Sequence, residues 1–209
     1  KEVEPRPNVH FPLDFACAQA DKRNAAAGIT TVYHALSFAH EELGVRNNDF
    51  AAEVARAVHK WQPHALVDNR VHCRYEITDE TGVPILKNLL EDDLMHMSSM
   101  MDHTPGQGQF KDMAAYKNYL SRMYKKTDEE IDDIVTRKAA SASGAFERMK
   151  ELSALAHQRN ISVASHDDDS VERVATMSEI GADISEFPIN LEAAKAAKAA
   201  NMSTVFGAP

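Results

Sequence analysis

Six short apolar stretches, each separated from the next by a segment of helical periodicity, constrain the fold of this chain more than any other feature. "GITTVYHALS" (28–37), "NRVHCRYEI" (69–77), "LMHMSSMMD" (94–102), "ISVASH" (161–166), "ADISEF" (182–187) and "STVFG" (203–207) have strand length and are rich in β-branched or large residues. Helical spacing of apolar residues marks 13–27, 48–63, 82–91, 111–123, 128–158, 170–180 and 190–200. Strands alternating with helices imply βαβ units, a parallel sheet and an α/β fold. Right-handed crossovers would wind six such units into either an open doubly wound sheet or part of a barrel, and periodicity alone does not choose.

Local signals support these boundaries. Thr127 followed by Glu130 spells a capping box, Asn190 stands where an N-cap belongs, and Ile180-Gly181 closes a helix before the fifth strand. "EPRPNVHFP" has too many prolines for a core element and reads as extended and irregular. The 209 residues, 44% of them hydrophobic, suit one domain over 1–209, with a helical insertion near 111–158. The densely charged "KKTDEEIDDIVTRK" (125–138) reads as a solvated helix face.

Composition removes several classes of function. A formal charge of -9 without a basic patch disfavours nucleic acid. Cys17 and Cys73 match no CxxC spacing, so both are expected reduced and buried. No apolar stretch approaches the roughly 18 residues that span a bilayer, so no membrane partner and a cytoplasmic location are expected. The chain begins at Lys1 and ends on "TVFGAP", and is expected to be a piece of something longer.

Three of the expected strands end in groups that bind metals: Glu76 in "HCRYEITDE", His103 in "MMDHTP" and His166 in "VASHDDDS". Loops at the carboxyl ends of parallel strands converge on one face, where α/β folds assemble their sites. Imidazole and carboxylate donors suit zinc first, with manganese, iron or nickel as alternatives. Asp167, Asp168 and Asp169 follow His166 and would orient it or cap the helix starting near Ser170. Asp102 shares the face of His103 only if the strand bends there. Arg74, two residues before Glu76, lies on the same face and would pair with a carboxylate or hold a phosphate oxygen. His34, His72 and His96 are expected inside strands, packing or hydrogen-bonding, with His72 also able to line a barrel interior. The glycines of "TPGQGQF" would bring backbone N–H groups close to an anion.

The segments "PRPNVHFP" (5–12), "AAGITTV" (26–32), "HCRYE" (72–76), "MMDHTPGQGQF" (100–110), "ASHDDD" (164–169), "SEFP" (185–188) and "GAP" (207–209) carry a family resemblance. Through nearly its whole length the chain resembles the ribose methylphosphonate triphosphate diphosphatases of the carbon-phosphorus lyase pathway, in the amidohydrolase superfamily. The resemblance implies a (β/α)8 TIM-like barrel of the metal-dependent hydrolase type, incomplete here at about six βα units. It also implies divalent metal ions at the carboxyl mouth, with Glu76, His103 and His166 as ligands. The implied reaction is hydrolysis of the triphosphate of α-D-ribose 1-methylphosphonate 5-triphosphate to release diphosphate, with a phosphorylated ribose as the small-molecule partner. Arg74 and Gln107 would meet the polyphosphate, while Asp102 and Asp167 would orient the imidazoles.

The family closes its first strand with His-x-Asp or His-x-His upstream of "PRP" and carries an acidic group on a late strand beyond "GAP". The chain alone is therefore expected to lack a full ligand set and to be nearly inactive. Two other readings stand beside this one. In the first, a truncated barrel without catalysis covers its open sheet edges by forming a homo-oligomer. In the second, an amidohydrolase of this superfamily acts on a cyclic amide or a base.

Overall fold

The computed structural model describes residues 2–6, 9–40, 47–104, 113–124 and 127–207. Its strands are β1 (Thr31–Phe38), β2 (Asp68–Glu76), β3 (Met97–Met101), β4 (Ser162–His166), β5 (Ile184–Glu186) and β6 (Ser203–Val205). The helices are α1 (Leu13–Ala26), α2 (Asn48–Trp61), α3 (Gly82–Glu91), α4 (Met113–Tyr124), α5 (Asp128–Ser141), α6 (Ala145–His157), α7 (Val171–Glu179) and α8 (Leu191–Ala199).

The six strands form one sheet in the order β1-β2-β3-β4-β5-β6, every neighbouring pair parallel. Spatial order equals chain order, so the winding never reverses and the sheet is not doubly wound. Alternation along β2 shows how its two faces differ. Val71, Cys73 and Tyr75 join helix residues such as Ala55, Leu86, Met149, Val174 and Ala193 in one buried apolar cluster. His72, Arg74 and Glu76, offset by one residue, form the opposite face.

Capping residues set the helix starts. Asn47 accepts from Phe50 N, Ser170 from Arg173 N and Asn190 from Ala193 N. Thr127 and Glu130 make the expected capping box. Ser170, rather than one of the three preceding aspartates, caps α7. The expected single helix over 128–158 is two helices, because Gly144 takes φ +79 and the chain restarts there as α6. Between β3 and β4, α6 packs on α3 and β4 as the crossover. The α4–α5 pair has its own small cluster of Tyr116, Leu120 and Ile131, backed by Val135. Gly181 closes α7 at φ +93, where a Cβ would lie 3.0 Å from Ser153 Oγ.

His34 lies inside β1 and bonds Asn69 Oδ1 at 2.8 Å. His96, expected within a strand, precedes β3, and its Nδ1 accepts from Val71 N at 3.1 Å. Cys73 is buried but Cys17 only half-buried, and both are free thiols. Among the described residues no helix is long and apolar enough to cross a membrane.

One buried carboxylate ties the amino-terminal helix to the sheet. Asp21 of α1, 1% exposed, accepts from Leu66 N at 2.8 Å, Val67 N at 3.2 Å, Asn69 Nδ2 at 2.8 Å and Trp61 Nε1 at 3.3 Å. Burial pushes its carboxyl upward, but these donors outweigh that and hold it below the usual range.

Candidate active site at the carboxyl edge of the sheet

Glu76, the last residue of β2, is 2% exposed, so its charge must be compensated within the protein. His103 supplies two hydrogen bonds, from Nδ1 to Oε2 at 2.8 Å and from its backbone N to Oε1 at 3.3 Å. Thr78 Oγ1 donates to Oε1 at 3.1 Å and Lys138 Nζ at 3.2 Å. Burial alone would raise the Glu76 pKa. The His103 hydrogen bond and the Lys138 charge win, and the carboxyl sits at about 2.

The neighbouring strands add to this edge. The His103 and His166 rings lie edge to face, 6.4 Å apart between centroids. His166 Nδ1 lies 3.2 Å from Asp167 Oδ2, and its Nε2 accepts from Arg74 Nη2 at 2.8 Å. Those contacts set Nδ1 toward the aspartate and Nε2 toward the face of Arg74 and Glu186. Glu186, at the end of β5, brings Oε2 within 3.8 Å of His166 Nε2 and 4.0 Å of His72 Nε2. That oxygen is buried and has no hydrogen-bond partner. Burial raises the Glu186 pKa against the opposing charges of His166 and Arg74.

The backbone bends at these same points. Asp167 and Phe187, directly after His166 and Glu186, take φ of 54 and 59, a left-handed turn uncommon for such side chains. The Phe187 ring then packs edge-on against His166, 5.5 Å between centroids.

The structure thus brings Glu76, His103, His166, Arg74 and Asp167 to one rim. Asp102 turns elsewhere, accepting from Thr104 N at 3.0 Å with Arg173 Nη1 at 3.8 Å. Gln107 lies outside the described residues. Two members of the rim, Lys138 and Glu186, escape a reading of the sequence, and a third, His72, is expected from it only to pack, hydrogen-bond or line a barrel interior. Lys138 belongs to the charged run taken as a solvated face, and His72 and Glu186 show their role only through the register of β2 with β3 and of β4 with β5.

Among the described residues no group of three or more His, Cys, Asp or Glu side chains is arranged to hold a metal ion. The donors are engaged instead with cations and with each other: Glu76 with Lys138 and His103, His166 with Arg74. The chemistry of the set nevertheless fits a divalent ion. Carboxylates and imidazoles are together, the Asp167 carboxylate lies 3.2 Å from the second nitrogen of His166, and the Glu186 oxygen is unsatisfied.

His72 makes part of this rim titratable. Its Nε2 lies 2.9 Å from Ser99 Oγ, and burial, with the charges of Arg74 and His166, pushes the imidazole down from 6.5 to about 4. Between those values the unfolded chain holds the proton and the folded one does not, so stability rises with pH there. The contribution is complete above pH 6.5 and lost on acidification toward 4, at about 1.4 kcal/mol per unit or roughly 3 kcal/mol in all. His72→Gln, which keeps a hydrogen bond for Ser99, is expected to flatten this slope in urea midpoints taken across the window. An unaltered slope would mean that His72 is not held neutral.

Over 212 aligned residues, taking in 100% of the chain, the sequence is 31% identical to the alpha-D-ribose 1-methylphosphonate 5-triphosphate diphosphatase of Escherichia coli K12. The chain spans 56% of that protein's length. No family model matches it. The family resemblance read from the motifs is borne out by this similarity.

Proposed function

We propose that the whole protein is a metal-dependent phosphoric anhydride hydrolase that cleaves α-D-ribose 1-methylphosphonate 5-triphosphate, releasing diphosphate in phosphonate breakdown. The observation that carries this reading is the meeting of Glu76, His103 and His166 at one rim of a parallel sheet, in a chain similar to a diphosphatase of that name.

The six strands are consecutive units of a (β/α)8 barrel. Their unreversed order and the polar face opposite the helices support this, since a barrel encloses one face of its sheet and covers the other with helices. The two end strands, β1 and β6, are where further strands would close it.

Glu76, His103 and His166 would hold a divalent ion, zinc first, with Glu186 as a fourth donor. Such an ion would polarise a phosphoryl oxygen and lower the pKa of a water. The remaining roles belong to the chain's own side chains. Asp167, with Oδ2 3.2 Å from His166 Nδ1, would favour a proton on that nitrogen and leave Nε2 to the ion. Arg74, at 2.8 Å from that nitrogen, is placed to donate to a phosphoryl oxygen and to spread the charge that collects there. In the reaction a water oxygen bonds the α-phosphorus and the bond to the α,β-bridging oxygen breaks. Diphosphate leaves with the electron pair, and the ribose keeps one 5-phosphate.

The test is product analysis with the whole protein, a ribose 5-triphosphate and a divalent ion. Diphosphate as the released product, suppressed by a chelator, is expected. Stepwise release of orthophosphate, or release indifferent to the chelator, would overturn the assignment.

A further inference from the structure

We infer that Lys138 is a phosphate-binding residue of this site: α5 delivers its ammonium to the Glu76 carboxylate as a resident counter-ion, and the same group binds a phosphoryl oxygen when a divalent ion takes that carboxylate. The inference rests on the metal-dependent reading above and adds to it a residue on an element outside the sheet.

Placement comes first. Lys138 Nζ is 3.2 Å from Glu76 Oε1, and its side chain is 17% exposed while Glu76's is 3%. An ammonium drawn out of water to that extent needs compensation, and a proposed metal ligand is among the groups that supply it. On the same helix Glu129, Asp132 and Asp133 face solvent, so the charged run splits into an outer face and one inward lysine.

The delivery is built into the fold. Arg148 of α6 donates through Nη2 to Ser141 O at 2.6 Å and to Ile77 O at 3.1 Å, and through Nη1 to Ser143 O at 3.1 Å and Glu80 Oε1 at 3.0 Å. One guanidinium therefore fastens the end of α5 to the turn that follows Glu76. Lys138 lies one helical turn before that clamp, which fixes its backbone beside the rim.

Charge then decides where the ammonium goes. Glu76, Glu186 and Asp167 stand here against Lys138 and Arg74. A divalent cation binding Glu76 would repel the ammonium from Oε1 and leave the rim richer in positive charge, the condition for holding a polyphosphate. A lysine suits this exchange because it is a compact charge on a long, flexible stem.

The test uses the protein with Lys138→Met and Lys138→Arg, probed with inorganic tripolyphosphate and, separately, zinc alone, with thermal melting to check folding. With zinc bound, Lys138→Met is expected to weaken tripolyphosphate about tenfold or more, the scale of one charge-assisted hydrogen bond, and Lys138→Arg to restore most of it. Without tripolyphosphate, Lys138→Met is expected to bind zinc no more weakly than the parent, because the competitor for Glu76 is gone. If Lys138→Met unfolds the protein, Lys138→Arg decides, since it folds with the charge kept and should bind tripolyphosphate within a few-fold of the parent.

Undiminished tripolyphosphate binding in a folded Lys138→Met protein that still binds zinc would overturn this inference alone. Zinc binding lost with Lys138→Met would overturn it too, by making the lysine a support of the metal site. A parent protein that binds no divalent ion would overturn it together with the hydrolase reading.

Discussion

Replacing Glu76 with glutamine is expected to lower diphosphate release by the whole protein about a thousandfold while leaving it folded. Glutamine keeps the size of the side chain and an oxygen for Thr78 and for the His103 backbone N–H, but it brings no negative charge. Lys138 loses its counter-ion, and on the proposed reading a divalent ion would lose the most buried donor of the rim. A bound metal supplies several kcal/mol of transition-state stabilisation, and each ~1.4 kcal/mol is a factor of ten in rate. Steady-state assay at saturating metal measures the loss. A variant within tenfold of the parent would show that Glu76 only holds His103 and Lys138 in place.

Asp21→Ala is expected to cost about 3–4 kcal/mol of folding stability. The substitution strips one acceptor group from four donors: two backbone N–H groups on the segment leading into β2, the Asn69 amide within β2 and the Trp61 indole. A hydrogen bond to a charged group contributes about 1.5–3 kcal/mol, and donors left buried without a partner add a desolvation cost. For a domain of this length the melting temperature should fall by about 10 °C. Asp21→Asn, which keeps one acceptor oxygen but adds an N–H where acceptors are needed, should fall between. A melting temperature within 2 °C or so of the parent in the alanine variant would mean that water replaces the carboxylate at small cost.

The strands and the three first candidate ligands were legible because they rest on local chemistry. β-branched runs of strand length form strands, and a histidine or glutamate ending such a run lies at the carboxyl edge whatever the remaining topology. The choice between a reversing and a one-directional winding depends on which strands are neighbours, and no single βαβ unit contains that information. Glu186 was hidden for a related reason. Its strand is three residues long, and nothing in "ADISEF" singles out the glutamate until the β4–β5 register sets it beside His166. Lys138 was misread because a run of mixed charge has the composition of a solvated face, and one inward lysine leaves that composition unchanged. The helix break at Gly144 was visible as a glycine, but only its positive φ makes it a restart.

Zinc titration of the protein and of its Glu76→Ala, His103→Ala and His166→Ala variants, each shown to be folded, bears most directly on the proposed chemistry. Saturable binding by the parent, weakened at least tenfold by each of the three replacements, is what a shared metal site requires. Binding of equal strength in all four proteins, or none in the parent, would leave these side chains as a hydrogen-bonded cluster with no ion to organise.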